Sequence, residues 1–126
     1  MTVVYSAIAV AVGAFAGGMV RYGLSKVIDN HWGTFAANIL GAFCIGIATR
    51  LLSLSAPAHQ DLLYALCATG FAGGLSTWST LAKELREMIR ARRWRELMWY
   101  ALATLAIGII AAWRGAVWAE RIVYGL

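Results

Sequence analysis

Between Asp61 and Lys83 runs an uncharged stretch, Leu62 to Ala82, whose distal half carries Ser76, Thr77, Ser79 and Thr80, four hydroxyls in five positions. Gly70, Gly73 and Gly74 stand just ahead of them. The stretch is long enough to cross a bilayer as a helix, and hydroxyls are a poor choice for a face turned to lipid. They suit the lining of a polar path. The glycines fall near Ala72, the middle of the run, so the sequence predicts a helix broken close to the membrane midplane. Such a break frees N–H and C=O groups that lipid cannot satisfy, and it needs a protein-lined cavity or an ion. The chemistry these residues support is ion conduction.

Other polar residues point the same way. Asn38 is the one carboxamide inside any expected span, and Thr34, Asn38, Gly41 and Ile45 follow helical spacing on one face. Thr34 and Asn38 are expected to offer donors to one groove, with Gly41 keeping it open. Asn38 also fits the plainer role of an interhelical hydrogen-bonding residue. Tyr100, Thr104 and Gly108 recur every fourth residue and give a second strip with a phenol, a hydroxyl and a gap. Arg21 admits two readings, a cation snorkelling to the interface and a positive charge in the mouth of an anion path. His31 and His59 have no partner ligands in sequence and receive no role.

The elements that must position these groups are four membrane spans, at about 3–20, 34–54, 62–82 and 97–113, forming one domain over residues 1–126. With 126 residues, 61% of them hydrophobic, and a mean hydropathy of +0.68, the chain exceeds the roughly 45–50% apolar content of soluble domains. The expected class is an all-α integral membrane protein. No basic segment precedes the first apolar stretch, so it reads as a retained span and not a cleaved signal. Gly13 and Gly17 in that span form a G-x-x-x-G, the spacing that lets helices approach closely in lipid. A bundle this small has little interior of its own, so the path is expected to form between subunits. Cys44 and Cys67 lie inside spans without ligand spacing and read as small packing residues. Pro57 is expected to mark the turn between the second and third spans.

Past Ala82 the helix is expected to continue as an amphipathic juxtamembrane segment to Glu96, with Lys83–Glu87 and Arg92–Glu96 as i,i+4 pairs and anionic lipid as its preferred neighbour. Trp94, Trp99, Trp113 and Trp118 flank the last span as interfacial anchors. The net charge of +5 is a topology signal and does not point to nucleic acid. Arg21, Lys26, Lys83, Arg86, Arg90, Arg92, Arg93 and Arg95 fall on one side, and Arg50, Arg114 and Arg121 on the other. Both termini are then expected outside the cytoplasm, in a multi-pass protein of the plasma membrane.

Gly70-Phe71-Ala72-Gly73-Gly74-Leu75-Ser76-Thr77-Trp78-Ser79-Thr80-Leu81, Gly33-Thr34-Phe35-Ala36-Ala37-Asn38 and Arg21 resemble, in order and span, three motifs of the Fluc or CrcB fluoride-channel family. The resemblance implies a fluoride-selective channel that passes the anion down its gradient and protects the cell from fluoride. It implies an antiparallel, dual-topology dimer of four-span subunits, with Asn38 and Thr34 on the ion path and Tyr100 and Thr104 as a polar track. Backbone carbonyls of Gly73 and Ser76 from both subunits would hold a structural sodium ion at the dimer centre. Fluoride is small and tightly hydrated, so Asn38, Thr34, Thr77, Ser79, Thr80, Tyr100 and Thr104 would replace its water with N–H and O–H donors.

In the family two Phe rings meet the ion edge-on; the equivalent positions here are Trp78 and Leu81, and Ala82 replaces the Ser that usually follows. Trp78 keeps a ring edge and an N–H to offer, whereas Leu81 has no quadrupole. A homodimer is the first expectation. Pairing with a diverged paralogue and a non-conducting subunit are the alternatives. A small multidrug-resistance exporter needs an intramembrane carboxylate, and no Asp or Glu falls inside an expected span. No acid, base and nucleophile set can be assembled, so an enzyme is not expected.

Overall fold

A computed structural model describes residues 3–56 and 58–125. Among them all regular structure is helical: α1 (Val3–Val27), α2 (His31–Ser55), α3 (Gln60–Tyr64), a π-helical segment (Ala65–Ala72), α4 (Gly73–Leu75), α5 (Trp78–Arg90) and α6 (Trp94–Tyr124). Pro57 lies outside the described residues; beside it Ala56 closes α2 in a left-handed conformation, its N–H donating to the Leu52 carbonyl.

By length and composition, α1, α2 and α6 are each able to cross a membrane unaided. At 1.5 Å per residue a 25-residue helix is about 37 Å long, against a hydrocarbon core of about 30 Å. α1 therefore runs on to Val27, past the expected end at Val20, and α6 starts at Trp94 and continues to Tyr124, beyond both expected ends. The remaining crossing is assembled from pieces, α3 through α5.

Two pairs of helices pack in parallel. Along the first pair Val10 meets Gly70 and Ala14 meets Gly74, so α1 and the third crossing advance together. Along the second, Gly46 abuts Ala112 and Gly115 abuts Phe43, and near the end Arg50 Nε lies 3.0 Å from Glu120 Oε1. Small residues allow this because lipid provides no hydrophobic force between helices, and close backbone packing takes its place.

Gly70 and Gly74 thus serve packing, Gly73 is exposed with no close neighbour from another helix, and the helix does not break at any of the three. A Cβ on Gly70 would lie 2.8 Å from the Val10 carbonyl oxygen, and one on Gly74 2.5 Å from that of Ala14. Gly70 closes into the π-helical segment, where Ala65, Ala68, Gly70 and Ala72 are all buried.

A leucine at Gly46 would drive its side chain into the Ala112 backbone, which no rotamer relieves. Gly46→Leu is expected to destabilise the fold by about 3 kcal/mol, read as a lower melting temperature in detergent. Gly23→Ala has open space around it and is the neutral control. Equal melting of the two variants would refute the close α2–α6 contact.

The juxtamembrane helix also differs from expectation. α5 stops at Arg90 and α6 begins at Trp94, with Arg92 between them at φ 57. Arg92 N–H donates to the Ile89 carbonyl and Arg93 N–H to that of Met88, the bonding pattern of a Schellman cap in which arginine occupies the usual glycine position. The turn takes Arg92 out of helical register with Glu96, whose carboxylate instead lies 3.1 Å from Arg93. Lys83 and Glu87 are both exposed and form no ion pair, as suits a solvated pair worth only a few tenths of a kcal/mol.

Candidate ion pathway

The third crossing opens at Ser76 (φ −77, ψ 156) and Thr77 (φ −146, ψ 119), both extended. A continuous helix would send Thr77 N–H to the Gly73 carbonyl and Thr80 N–H to the Ser76 carbonyl. Instead Thr77 N–H donates to Asn38 Oδ1 at 2.6 Å, and Thr80 N–H donates to Thr77 Oγ1 at 3.2 Å. Thr77 is thereby the N-cap of α5, a position where its hydroxyl stabilises the new helix by about 1 kcal/mol. Two carbonyl oxygens, those of Gly73 and Ser76, are released from these helical donors.

The bond to Thr77 orients Asn38. A backbone N–H can only donate, so it must be met by the amide oxygen, and the amide's two N–H donors are left for something else. Asn38 lines a cavity of about 400 Å³ together with Ser76, Thr77, Trp78, Leu81 and Thr104. A second cavity, of about 280 Å³, is lined by Arg21, Ser25, Thr34, Thr77 and Thr80. Thr77 lines both. Arg21 sits inside α1, well before its end at Val27, and its Nε is buried with no hydrogen-bond partner among the described residues. An unpaired buried guanidinium N–H costs several kcal/mol unless an acceptor reaches it.

Glu84 is the residue the sequence reading missed. Thr34 donates its hydroxyl to Glu84 Oε1, and Tyr100 OH lies 3.1 Å from Glu84 Oε2 and 3.2 Å from the His31 carbonyl oxygen. One carboxylate therefore ties α2, α5 and α6 together. The signal was present: Thr77, Thr80 and Glu84 stand at i, i+3 and i+7, one helical face. The charged boundary at Lys83 hides it, because hydropathy ends the span at Ala82. His31, which the sequence leaves without a role, packs against Tyr100 with ring centroids 4.5 Å apart and planes tilted by 53°, and its Nδ1 lies 3.7 Å from Glu96.

Residues 8–116 match the family model described as CrcB-like protein, Camphor Resistance (CrcB). The chain belongs to the CrcB family. It is 47% identical over 102 residues to the fluoride-specific ion channel FluC 2 of Corynebacterium diphtheriae, covering 81% of this chain and 89% of that one. The FluC 1 channel of Prochlorococcus marinus is 35% identical over 112 residues, 84% of this chain and 86% of its own. FluC 2 of Rhodococcus jostii is 34% identical over 110 residues, 84% and 91% of the two chains. CrcB membership and the long apolar helices make this a multi-pass membrane protein of a non-enzymatic family.

Within this CrcB-family chain the expected site residues divide into groups. Arg21, Thr34, Thr77 and Thr80 share one cavity; Asn38, Thr77, Trp78, Leu81 and Thr104 share the other. Leu81 is buried against Met88 and Tyr100, with Phe35, Leu85 and Leu97 packed around them. Trp78 is 80% exposed at the rim of its cavity, and Ser79 is exposed beside it. Thr104 directs its proton to the Tyr100 carbonyl at 2.7 Å, so its hydroxyl serves its own helix first. Gly41 does not hold a groove open, because Ser76 fills the space and a Cβ there would lie 2.9 Å from the Ser76 Cβ. Its bareness lets the broken segment come against α2.

Proposed function

We propose that the chain is a subunit of a fluoride-selective channel, carrying the anion passively along donors that flank the break in the third crossing. The observation that carries this reading is Thr77, shared by a cavity holding an unpaired arginine N–H and a cavity faced by Asn38. Membership of a family whose members include proteins named fluoride-specific ion channels supports the choice of anion.

An anion drawn to Arg21 meets the hydroxyls of Thr34 and Thr80 before Thr77. Thr80 Oγ1 accepts from Thr77 Oγ1 at 3.1 Å, which leaves its own proton to donate outward. Thr34 is held by Glu84, so the incoming anion competes with a carboxylate for that donor, whereas Tyr100, buried and also bonded to Glu84, lines neither cavity. Beyond Thr77 the Asn38 amide offers its N–H groups, and Trp78 presents a ring edge at the cavity rim. Short O–H and N–H donors favour an anion that is small and a strong acceptor, and they repay a larger halide poorly for its lost water.

Trp78, at 80% exposure, leaves the path open on one side of a single subunit, which supports a second copy completing it. The second copy is proposed to sit antiparallel. The carbonyls of Gly73 and Ser76, freed by the diversion of Thr77 and Thr80 N–H, have the hard-oxygen chemistry that suits sodium, and two subunits would supply four. Sodium there would add a fixed positive charge that favours a nearby anion. The eight-to-three split of basic residues favours one direction of insertion, and this supports a diverged second copy as the alternative partner.

Passive efflux from liposomes carrying the purified protein, followed with a fluoride electrode beside a chloride control, tests the proposal. Fluoride release without chloride release is expected. Silence from the chain alone, restored by a co-reconstituted paralogue, would replace the homodimer with the paired form; silence in both would refute conduction.

A further inference from the structure

At the turn between α5 and α6 two cavities share a wall. One, of about 500 Å³, is lined by Arg92, Arg93, Trp94, Arg95, Glu96 and Trp99; the other, of about 390 Å³, by Trp94, Arg95, Met98, Trp99 and Leu102. Trp94, Arg95 and Trp99 belong to both. The first is basic and polar, the second apolar, and they follow one another from Arg92 along α6 to Leu102. We infer that this groove is a binding site for an anionic phospholipid, its headgroup over Arg92 and Arg95 and an acyl chain against Met98 and Leu102.

Charge argues for the headgroup. The single carboxylate in the wall, Glu96, is already engaged, 3.1 Å from Arg93 and 3.7 Å from His31. Arg92 and Arg95 have no carboxylate partner among the described residues. Arg92 is held outward by a left-handed turn, a conformation glycine would occupy at lower cost. Shape argues for the chain. Met98 and Leu102 are i and i+4 on α6, 59% and 55% exposed, and Trp94 and Trp99 flank the start of that strip. A free phosphate would satisfy the arginines and leave the apolar strip uncovered; a phospholipid satisfies both. The site lies at the basic end of the bundle, where tryptophan and arginine anchor helices to headgroups. None of its lining residues lines either cavity of the proposed fluoride path.

Native mass spectrometry of the detergent-purified protein, offered equal amounts of phosphatidylglycerol and phosphatidylcholine, tests this. Each arginine at an anionic surface contributes about a five-fold preference, so R92G with R95Q is expected to lower retention of phosphatidylglycerol about twenty-five-fold. Arg92→Gly suits the left-handed turn, and unchanged liposome fluoride efflux by the double variant would certify its fold. Leu102→Trp, filling the apolar half, should lower retention with both arginines present. Equal retention by wild type and the arginine variant would overturn the site, as would displacement of the lipid by millimolar inorganic phosphate.

Discussion

Fluoride efflux from liposomes should fall by nearly three orders of magnitude when Asn38 is replaced by aspartate, while the protein stays folded. The two halves of this result have separate causes. Aspartate keeps an oxygen for Thr77 N–H, so the 2.6 Å bond that holds the broken segment to α2 persists. It loses both amide donors and adds a negative charge in the wall of the cavity that Asn38 lines. A unit charge about 4 Å from a passing anion opposes it by about 4 kcal/mol at an effective dielectric constant near 20. Efflux within about threefold of wild type would remove Asn38 from the path. Asn38→Leu is the complementary variant. It adds no charge but strands the Thr77 N–H, at a cost of about 1–3 kcal/mol, and is expected to lower the melting temperature where aspartate does not.

Neutralising Glu84 should act in the opposite direction. Its carboxylate accepts from Thr34 and Tyr100, and Thr34 lines the cavity that holds Arg21, where on the proposed path an arriving anion competes for its hydroxyl. Glutamine preserves an oxygen for one of these hydroxyls, turns an NH2 toward the other, and loses the charge assistance that makes carboxylate bonds about twice as strong as neutral ones. Repulsion of the anion is also removed. Glu84 is half-buried, so the full Coulomb term of about 4 kcal/mol is reduced by solvent, and about 2–3 kcal/mol is expected. The fluoride concentration giving half-maximal flux should therefore fall about a hundredfold in Glu84→Gln. An unchanged or higher value would show that the carboxylate does not compete with the anion.

Glu84 and the break depend on contacts between helices that neighbours in the chain do not specify. The apolar runs and their charged boundaries depend on composition and on the 3.6-residue period, both carried by neighbours in the chain; the one groove expected for Thr34 and Asn38 is not found, because the break at Ser76 and Thr77 comes against α2 and the two residues line different cavities. The glycines were ambiguous, because the same residue loosens a backbone and admits a close neighbour; at Gly70 and Gly74 the neighbour is α1, and the helix continues through them. Glu84 was set outside the span by a hydropathy boundary, although its spacing from Thr77 and Thr80 placed it on their face.

The sequence by itself determined a membrane bundle with hydroxyls and one amide inside it, since twenty uncharged residues have few other places to go. Tertiary structure decided where the third helix parts. Thr77 N–H can leave the Gly73 carbonyl only because Asn38, on another helix, offers a replacement acceptor at 2.6 Å. A backbone hydrogen bond inside a bilayer is surrendered only to a partner already in place, and which distant residue is in place is a property of packing, here of Gly41 allowing Ser76 against α2.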